Sequence, residues 1–220
     1  MPYFKAYQSD YIRLRNTSII LKYMQTDTTV TGIILAGGKS VRMGFEKGLA
    51  EIQGQLMISR VIEALKPVCT QLIIISNTDV YQNLGLPVYE DIYKDTGPTG
   101  GIFTGLTHSA NSSNIIVACD MPFLTPFVFT HLLGQAPGYE IVVPSLQGRS
   151  QPLCAYYNKQ ISIRLEELIV QNIWKMQQVI KHFHYKEWLA EEAGIDAQVF
   201  ANINSLSDLE QIQKNNRPGL

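Results

Sequence analysis

The sequence predicts an α/β fold, with three α/β/α layers around a mostly parallel, Rossmann-like central sheet. Two patterns point there. Short, continuously apolar runs alternate with segments whose apolar residues recur at helical spacing, and the glycines and polar residues of interest fall where the apolar runs end. Strands that are continuously apolar are covered on both faces, which is the mark of a parallel sheet between helical layers. Composition agrees: 220 residues, 45% hydrophobic and 17% charged, describe an ordered chain of ordinary domain size.

The strand-like runs are residues 31–35, 71–76, 87–90, 114–119, 140–144, 153–157 and 200–202. Helical spacing appears over 57–65, 102–108, 161–170, 174–183 and 206–212. Thr125-Pro126 puts proline in the first turn of a helix, and Ser205 with Asp208 reads as a capping pair. The aromatics from Trp174 to Trp188 read as helix packing, and His182 and His184, two residues apart, do not form a helical metal pair. Residues 31–220 read as one domain. Residues 1–30 stand apart, with Tyr3, Tyr7, Tyr11 and Tyr23 interleaved with Lys5, Arg13, Arg15 and Lys22. A surface arm, a flexible tail, and sequence upstream of a start at Met24 are the three readings of that extension.

The 18 basic and 19 acidic side chains leave a formal net charge of −1, which supplies no basic footprint for nucleic acid or anionic membranes. No apolar run approaches the ~18 residues of a membrane-spanning helix. The three cysteines, Cys69, Cys119 and Cys154, are far apart and lack metal-ligand spacing, so a reducing cytoplasm fits.

Leu35-Ala36-Gly37-Gly38 ends the first strand, Asn77 follows the second, Asp91 the third and Asp120 the fourth, while Asn202 and Asn204 flank the last. In an open parallel sheet the carboxyl ends line one ligand-binding edge, so these residues are expected to converge there. Gly37-Gly38-Lys39-Ser40 imitates the end of a Walker A loop, but the register fails, because Ile33 stands where the first glycine belongs. What remains is a strand that breaks at paired glycines and continues through Arg42 and Lys47. Such a loop can aim backbone N–H groups at phosphate oxygens, with Arg42 as a planar fork and Lys47 as a point charge. Asp120 precedes Met121-Pro122, and the proline ends strand pairing just beyond it. A single carboxylate at such a site suits Mg²⁺, which keeps waters and takes phosphate oxygens alongside one or two protein ligands.

Residues 35–47, Leu-Ala-Gly-Gly-Lys-Ser-Val-Arg-Met-Gly-Phe-Glu-Lys, resemble the signature of nucleotidyltransferases with a glycosyltransferase-A-like fold, and specifically the molybdenum cofactor guanylyltransferases of the MobA type. Glu90-Asp91, Gly97-Pro98 with Gly101, Cys119 to Pro122, Gln151 to Ala155, and Asn202-x-Asn204 follow in the family's order, so the resemblance covers residues 31 to about 213. It implies transfer of GMP from GTP to the terminal phosphate of molybdopterin, with Mg²⁺ as cofactor. Leu35, Ala36, Gly37 and Gly38 would line the nucleotide, Lys47 would contact it, and Asn77 and Asp91 would help hold guanine or ribose. Asp120 would bind the metal, Arg42 would face the phosphates, and Gln151, Asn202 and Asn204 would lie on the acceptor side. Transient contact with molybdenum cofactor insertion proteins or molybdoenzymes is also implied. Ala36-Gly37-Gly38 matches the guanylyl members, whereas cytidylyl and many sugar-nucleotide relatives carry Ala-Ala-Gly.

Three departures bear on the acceptor and the cation: Glu46 replaces the family's usual Asp, Thr99-Gly100 replaces Leu-Ala, and Gln151 replaces a frequent His. The rival readings are a nucleotidyltransferase for another phosphorylated acceptor, of the molybdopterin cytidylyl or sugar-phosphate type, and a nucleotide-binding regulator without turnover.

Overall fold

The computed structural model describes residues 29–37, 46–205, 207 and 208. Gly38, Lys39, Ser40, Arg42, nearly all of the 1–30 extension and most of the segment 206–212 lie outside them. Strands β1 (Val30–Leu35), β4 (Gln71–Ile75), β5 (Val88–Tyr89), β6 (Ser113–Ala118), β7 (Ile141–Leu146), β8 (Arg149–Ser150), β9 (Cys154–Asn158) and β10 (Tyr185–Leu189) form one sheet in the order β10-β7-β9-β6-β1-β4-β5, with β8 paired to β7. A separate hairpin joins β2 (Glu51–Ile52) to β3 (Gln55–Leu56). β1, the central strand, is buried at every residue and pairs in parallel with both β4 and β6. β9 alone of the long strands runs antiparallel, between β6 and β7, while β10 pairs with β7 in parallel.

Each strand sends alternate residues to opposite faces, and the two faces carry separate cores. On one, Ile34, Ile74, Ile115, Val117 and Val142 meet α1 (Met57–Leu65) and α3 (Pro126–Gln135). On the other, Ile33, Ile73, Ile75, Ile116 and Val143 meet α2 (Pro98–His108) and α4 (Ser162–Val170). This is the expected three-layer α/β/α arrangement.

Proline stands in the first turn of both α2 and α3, where its missing N–H is harmless. Asp208 Oδ2 accepts from the Ser205 N–H and Ser205 Oγ accepts from the Asp208 N–H, the reciprocal capping pair expected from sequence.

Three expectations are corrected. The run 200–202 is not a strand: a 3-10 turn, Ala197–Phe200, leads into an unpaired stretch, since β10 occupies the sheet edge beside β7. The run 174–183 breaks into a short helix α5 (Met176–Val179) and a 3-10 turn, Ile180–His182. Trp188 belongs to β10, where it stacks with His131 across 5.8 Å, so the aromatic cluster spans a helix and a strand.

Gly105 lets α2 lie against β1, because a Cβ there would sit 2.4 Å from Ile33 Cγ2. Ile33 is wholly buried and β-branched and has no free rotamer to yield. Gly105→Ala is therefore expected to destabilise the fold by about 1–3 kcal/mol, read as a lower Tm in a thermal melt with native circular dichroism retained at 20 °C.

Candidate active site

The carboxyl ends of β5, β4, β1 and β6 are adjacent, and the chain turns away from each with a polar residue or a glycine. Leu35 and Ala36 are buried at the end of β1, where the Ala36 N–H donates to Ile75 O at 2.9 Å and the Cys119 N–H donates to Leu35 O at 3.0 Å. These bonds carry the pairing of β1 with β4 and β6 just past its last residue. Gly37 is exposed, with nothing within 4 Å of the direction a Cβ would take.

Two polar clusters occupy this edge. Beyond β4 and β5, Asn77 Nδ2 donates to Asp91 Oδ2 at 2.7 Å, and the Asp91 N–H donates to Asn77 Oδ1 at 3.0 Å. The reciprocal pair orients both side chains. Asp91 Oδ1 is buried without a partner, 3.4 Å from where a Cβ on Gly101 would stand. Burial raises the Asp91 carboxyl above its usual value, against the opposing pull of Asn77 and Lys94.

The second cluster lies beyond β6. Lys47 Nζ donates to Asn204 Oδ1 at 2.8 Å and lies 3.6 Å from Asp120 Oδ2. Asp120 O accepts from the Ile203 N–H at 2.9 Å, which fastens the 201–204 stretch to the end of β6. Asp208 Oδ2 accepts from the Asn204 N–H at 2.8 Å, so the helix cap also sets the direction of Asn204. Asp120 Oδ1 is buried with no protein partner. Burial raises the Asp120 carboxyl, and the attraction of Lys47 offsets that only in part. An orphaned, buried carboxylate oxygen fits a divalent cation held by one protein oxygen. Among the described residues no group of three or more His, Cys, Asp or Glu side chains is arranged to hold a metal by itself.

Beside this cluster a groove of about 340 Å³ is lined by Leu146, Gln147, Arg149, Gln151, Phe200 and Asn202, among others. Gln151 and Asn202 thus stand on one wall system, while Asn204 faces Lys47 instead. Sequence reasoning missed Arg149. Its signal was the Gln147-Gly148 turn between two apolar runs, and both residues take positive φ, 50° and 72°. Glu191 accepts from the Gln147 N–H and Glu187 from the Ser150 hydroxyl, so β10 and the turn after it hold this hairpin in place. The Thr99-Gly100 departure has a local reason as well. Thr99 Oγ1 donates to Trp174 O at 2.7 Å, and a Cβ on Gly100 would come within 2.2 Å of Thr96 Oγ1.

The sequence and fold have counterparts in known proteins. Residues 32–187 match the family model for the MobA-like NTP transferase domain. The chain belongs to that family. It is 35% identical over 190 residues to a probable molybdenum cofactor guanylyltransferase from Clostridium perfringens, a match covering 82% of this chain and 94% of that protein. A probable molybdenum cofactor guanylyltransferase from Bacillus cereus is 33% identical over 190 residues, with 83% and 95% covered. Among solved structures, molybdopterin-guanine dinucleotide biosynthesis protein A from Archaeoglobus fulgidus superposes with a TM-score of 0.72 at 27% identity, covering 84% of this chain and 97% of that one. Membership in the MobA-like family makes the chain a nucleotidyltransferase with the nucleotide-sugar-transferase type of fold.

The raised Asp120 carboxyl has a measurable consequence. Its folded-state value lies above its unfolded one, so the folded state binds the proton more tightly, and ionisation costs stability as pH rises past the unfolded value. Asp120→Asn is expected to raise Tm at pH 7 and to lose that advantage below about pH 3.8, where both states are protonated. Thermal melts of both proteins across pH 3–8 check this.

Proposed function

We propose that this chain transfers GMP from GTP to the terminal phosphate of molybdopterin, releasing pyrophosphate and forming the molybdopterin guanine dinucleotide. The observation that carries this reading is the convergence of Lys47, Asp120 and Asn204, drawn from three distant stretches of sequence, between a glycine-ended strand and a polar groove. The curated relatives named as guanylyltransferases, which this chain matches over most of their length, support it.

On this reading the nucleoside lies over Leu35, Ala36, Gly37 and Gly38. Asp91 Oδ1, free of protein partners and steered by Asn77, accepts from the nucleoside, and a carboxylate can take both the N1–H and the 2-amino group of guanine, a pair cytosine does not offer. The phosphates run toward Lys47 and Arg42, whose charges offset those of the triphosphate. Asp120 would hold Mg²⁺ through the oxygen that has no protein partner, and the metal supplies charge neutralisation to the phosphates when bound. The acceptor occupies the groove of Gln151, Asn202 and Arg149, with Asn204 at its border. Its phosphate oxygen attacks the α-phosphorus, the bond to the β-phosphate breaks, and pyrophosphate leaves. That nucleophile is already largely ionised at neutral pH, so the protein's work is positioning and charge stabilisation, with no general base.

Residues 1–30 carry four of the 18 basic and two of the 19 acidic side chains, which leaves a formal −3 on residues 31–220. Attraction of a polyanion therefore rests on local cations, with no help from net charge. A cytoplasmic setting fits the thiols: burial pushes Cys69 and Cys119 up to about 12, and all three cysteines are unpaired. No described helix is long and apolar enough to cross a membrane. The product, once formed, passes to molybdenum cofactor insertion proteins or molybdoenzymes by transient contact.

Thermal shift with GTP, CTP, ATP or UTP, each with and without Mg²⁺, tests the donor, since a ligand that binds the folded state stabilises it by mass action. GTP with Mg²⁺ is expected to give the largest rise; a rise with CTP and none with GTP would overturn the guanylyl assignment. Pyrophosphate release with molybdopterin present tests turnover. Asp120→Ala is expected to abolish release with the fold intact, and Arg42→Ala or Lys47→Ala to lower it by roughly 10²-fold or more.

A further inference from the structure

Lys47 opens a short 3-10 turn, Lys47–Leu49, closed by the Leu49 N–H to Glu46 O and the Ala50 N–H to Lys47 O, each at 3.0 Å. A turn this short has little stiffness of its own. Its support comes from below. Tyr81, in the 3-10 segment Asp79–Leu84, is completely buried, and its hydroxyl donates to Glu46 Oε2 at 3.3 Å. Gly48 lies on the same phenol: a Cβ there would be 2.9 Å from Tyr81 Oη and 3.1 Å from Cε1. One ring thus underlies the residue before Lys47 and the residue after it. Burial, ahead of the neighbouring negative charge, raises the Tyr81 hydroxyl far above its usual value, so it stays a donor at any working pH.

Packing alone does not require this hydroxyl. A phenyl ring would fill the same space, and a buried hydroxyl without a partner is costly. Here the partner is supplied by the loop that delivers the cation, from 35 residues away in sequence. Tyr81 also follows Asn77 by four residues, so one segment carries both the carboxamide that orients Asp91 and the prop beneath Lys47.

We infer that Tyr81 is a positioning residue for Lys47: its bond to Glu46 and its contact with Gly48 fix the turn that aims the ammonium along the sheet edge. This rests on Lys47 meeting the nucleotide phosphates, as proposed above. It also gives Glu46 a task. Its carboxylate is the acceptor of the phenol hydroxyl.

The test is a double-mutant cycle on the full chain, with Kd for GTP in the presence of Mg²⁺ measured by calorimetry and KM and kcat measured by pyrophosphate release. Tyr81→Phe is expected to keep native circular dichroism and to weaken GTP binding about three- to tenfold, the range for one hydrogen bond, raising KM more than it lowers kcat. Lys47→Met should weaken binding further, and Tyr81→Phe combined with Lys47→Met should be no weaker than Lys47→Met alone. Losses that multiply in the double variant would show that Tyr81 acts independently of Lys47 and would overturn the inference. So would Tyr81→Phe at wild-type affinity beside a weakened Lys47→Met. Lys47→Met at wild-type affinity, by contrast, overturns the phosphate assignment of Lys47 itself. Should Tyr81→Phe not fold, Glu46 provides the same reading: Glu46→Gln keeps an acceptor oxygen and should retain GTP affinity, while Glu46→Ala should lose about three- to tenfold. Equal affinity for those two variants overturns the inference.

Discussion

The ammonium of Lys47, seated between Asp120 and Asn204, joins the turn Lys47–Leu49, the end of β6 and the 201–204 stretch. Magnitudes show why so few groups suffice. At 3.6 Å and an effective dielectric of about 20, opposite charges attract by roughly 4–5 kcal/mol, about what desolvating one partly buried ion costs. The raised Asp120 carboxyl shows that desolvation retains the upper hand. The pair is therefore held by attraction and desolvation of similar size.

That balance depends on the sheet. β1 is covered on both faces, so the two cores hold its end in register with β4 and β6, and the bonds from Ala36 and Cys119 carry that register one residue past the strand. Rigid strands deliver Asp120, Asn77 and Asp91 to the edge. Short irregular segments, each tied by a capping pair or a buried phenol, deliver Lys47 and Asn204. The division is physical: strand ends are placed by the core, whereas loop residues need individual tethers.

Much of this was legible beforehand because it rests on local chemistry. Six strand runs read correctly from continuous apolar residues, and Asn77, Asp91 and Asp120 read correctly as strand-end residues. What failed was non-local. Nothing in residues 200–202 says that β10 already occupies the neighbouring edge, and Tyr185–Leu189, with exposed residues alternating irregularly, shows no strand period. The reciprocal bonding of Asn77 with Asp91 and the support of Lys47 by Tyr81 join residues 14 and more positions apart through folded geometry, which no motif encodes. The bond from Lys47 to Asn204 spans 157 positions, and the Asn204 N–H is held by Asp208, a tie that the spacing of the motif does not encode.

The reversed strand β9 has a consequence for how the groove wall is built. β7 ends on the same edge as Asp120, the two-residue turn Gln147-Gly148 folds β8 back onto it, and β9 then leaves that edge against β6 and β7, so Gln151 stays at the edge with no crossover helix. The hairpin from Leu146 to Gln151 is separated from β1, β4 and β5 by β9 and β6 in the sheet order. The groove wall that carries Arg149 and Gln151 is thus built on a hairpin, whereas Asn77, Asp91 and Asp120 are set by strand ends inside the sheet.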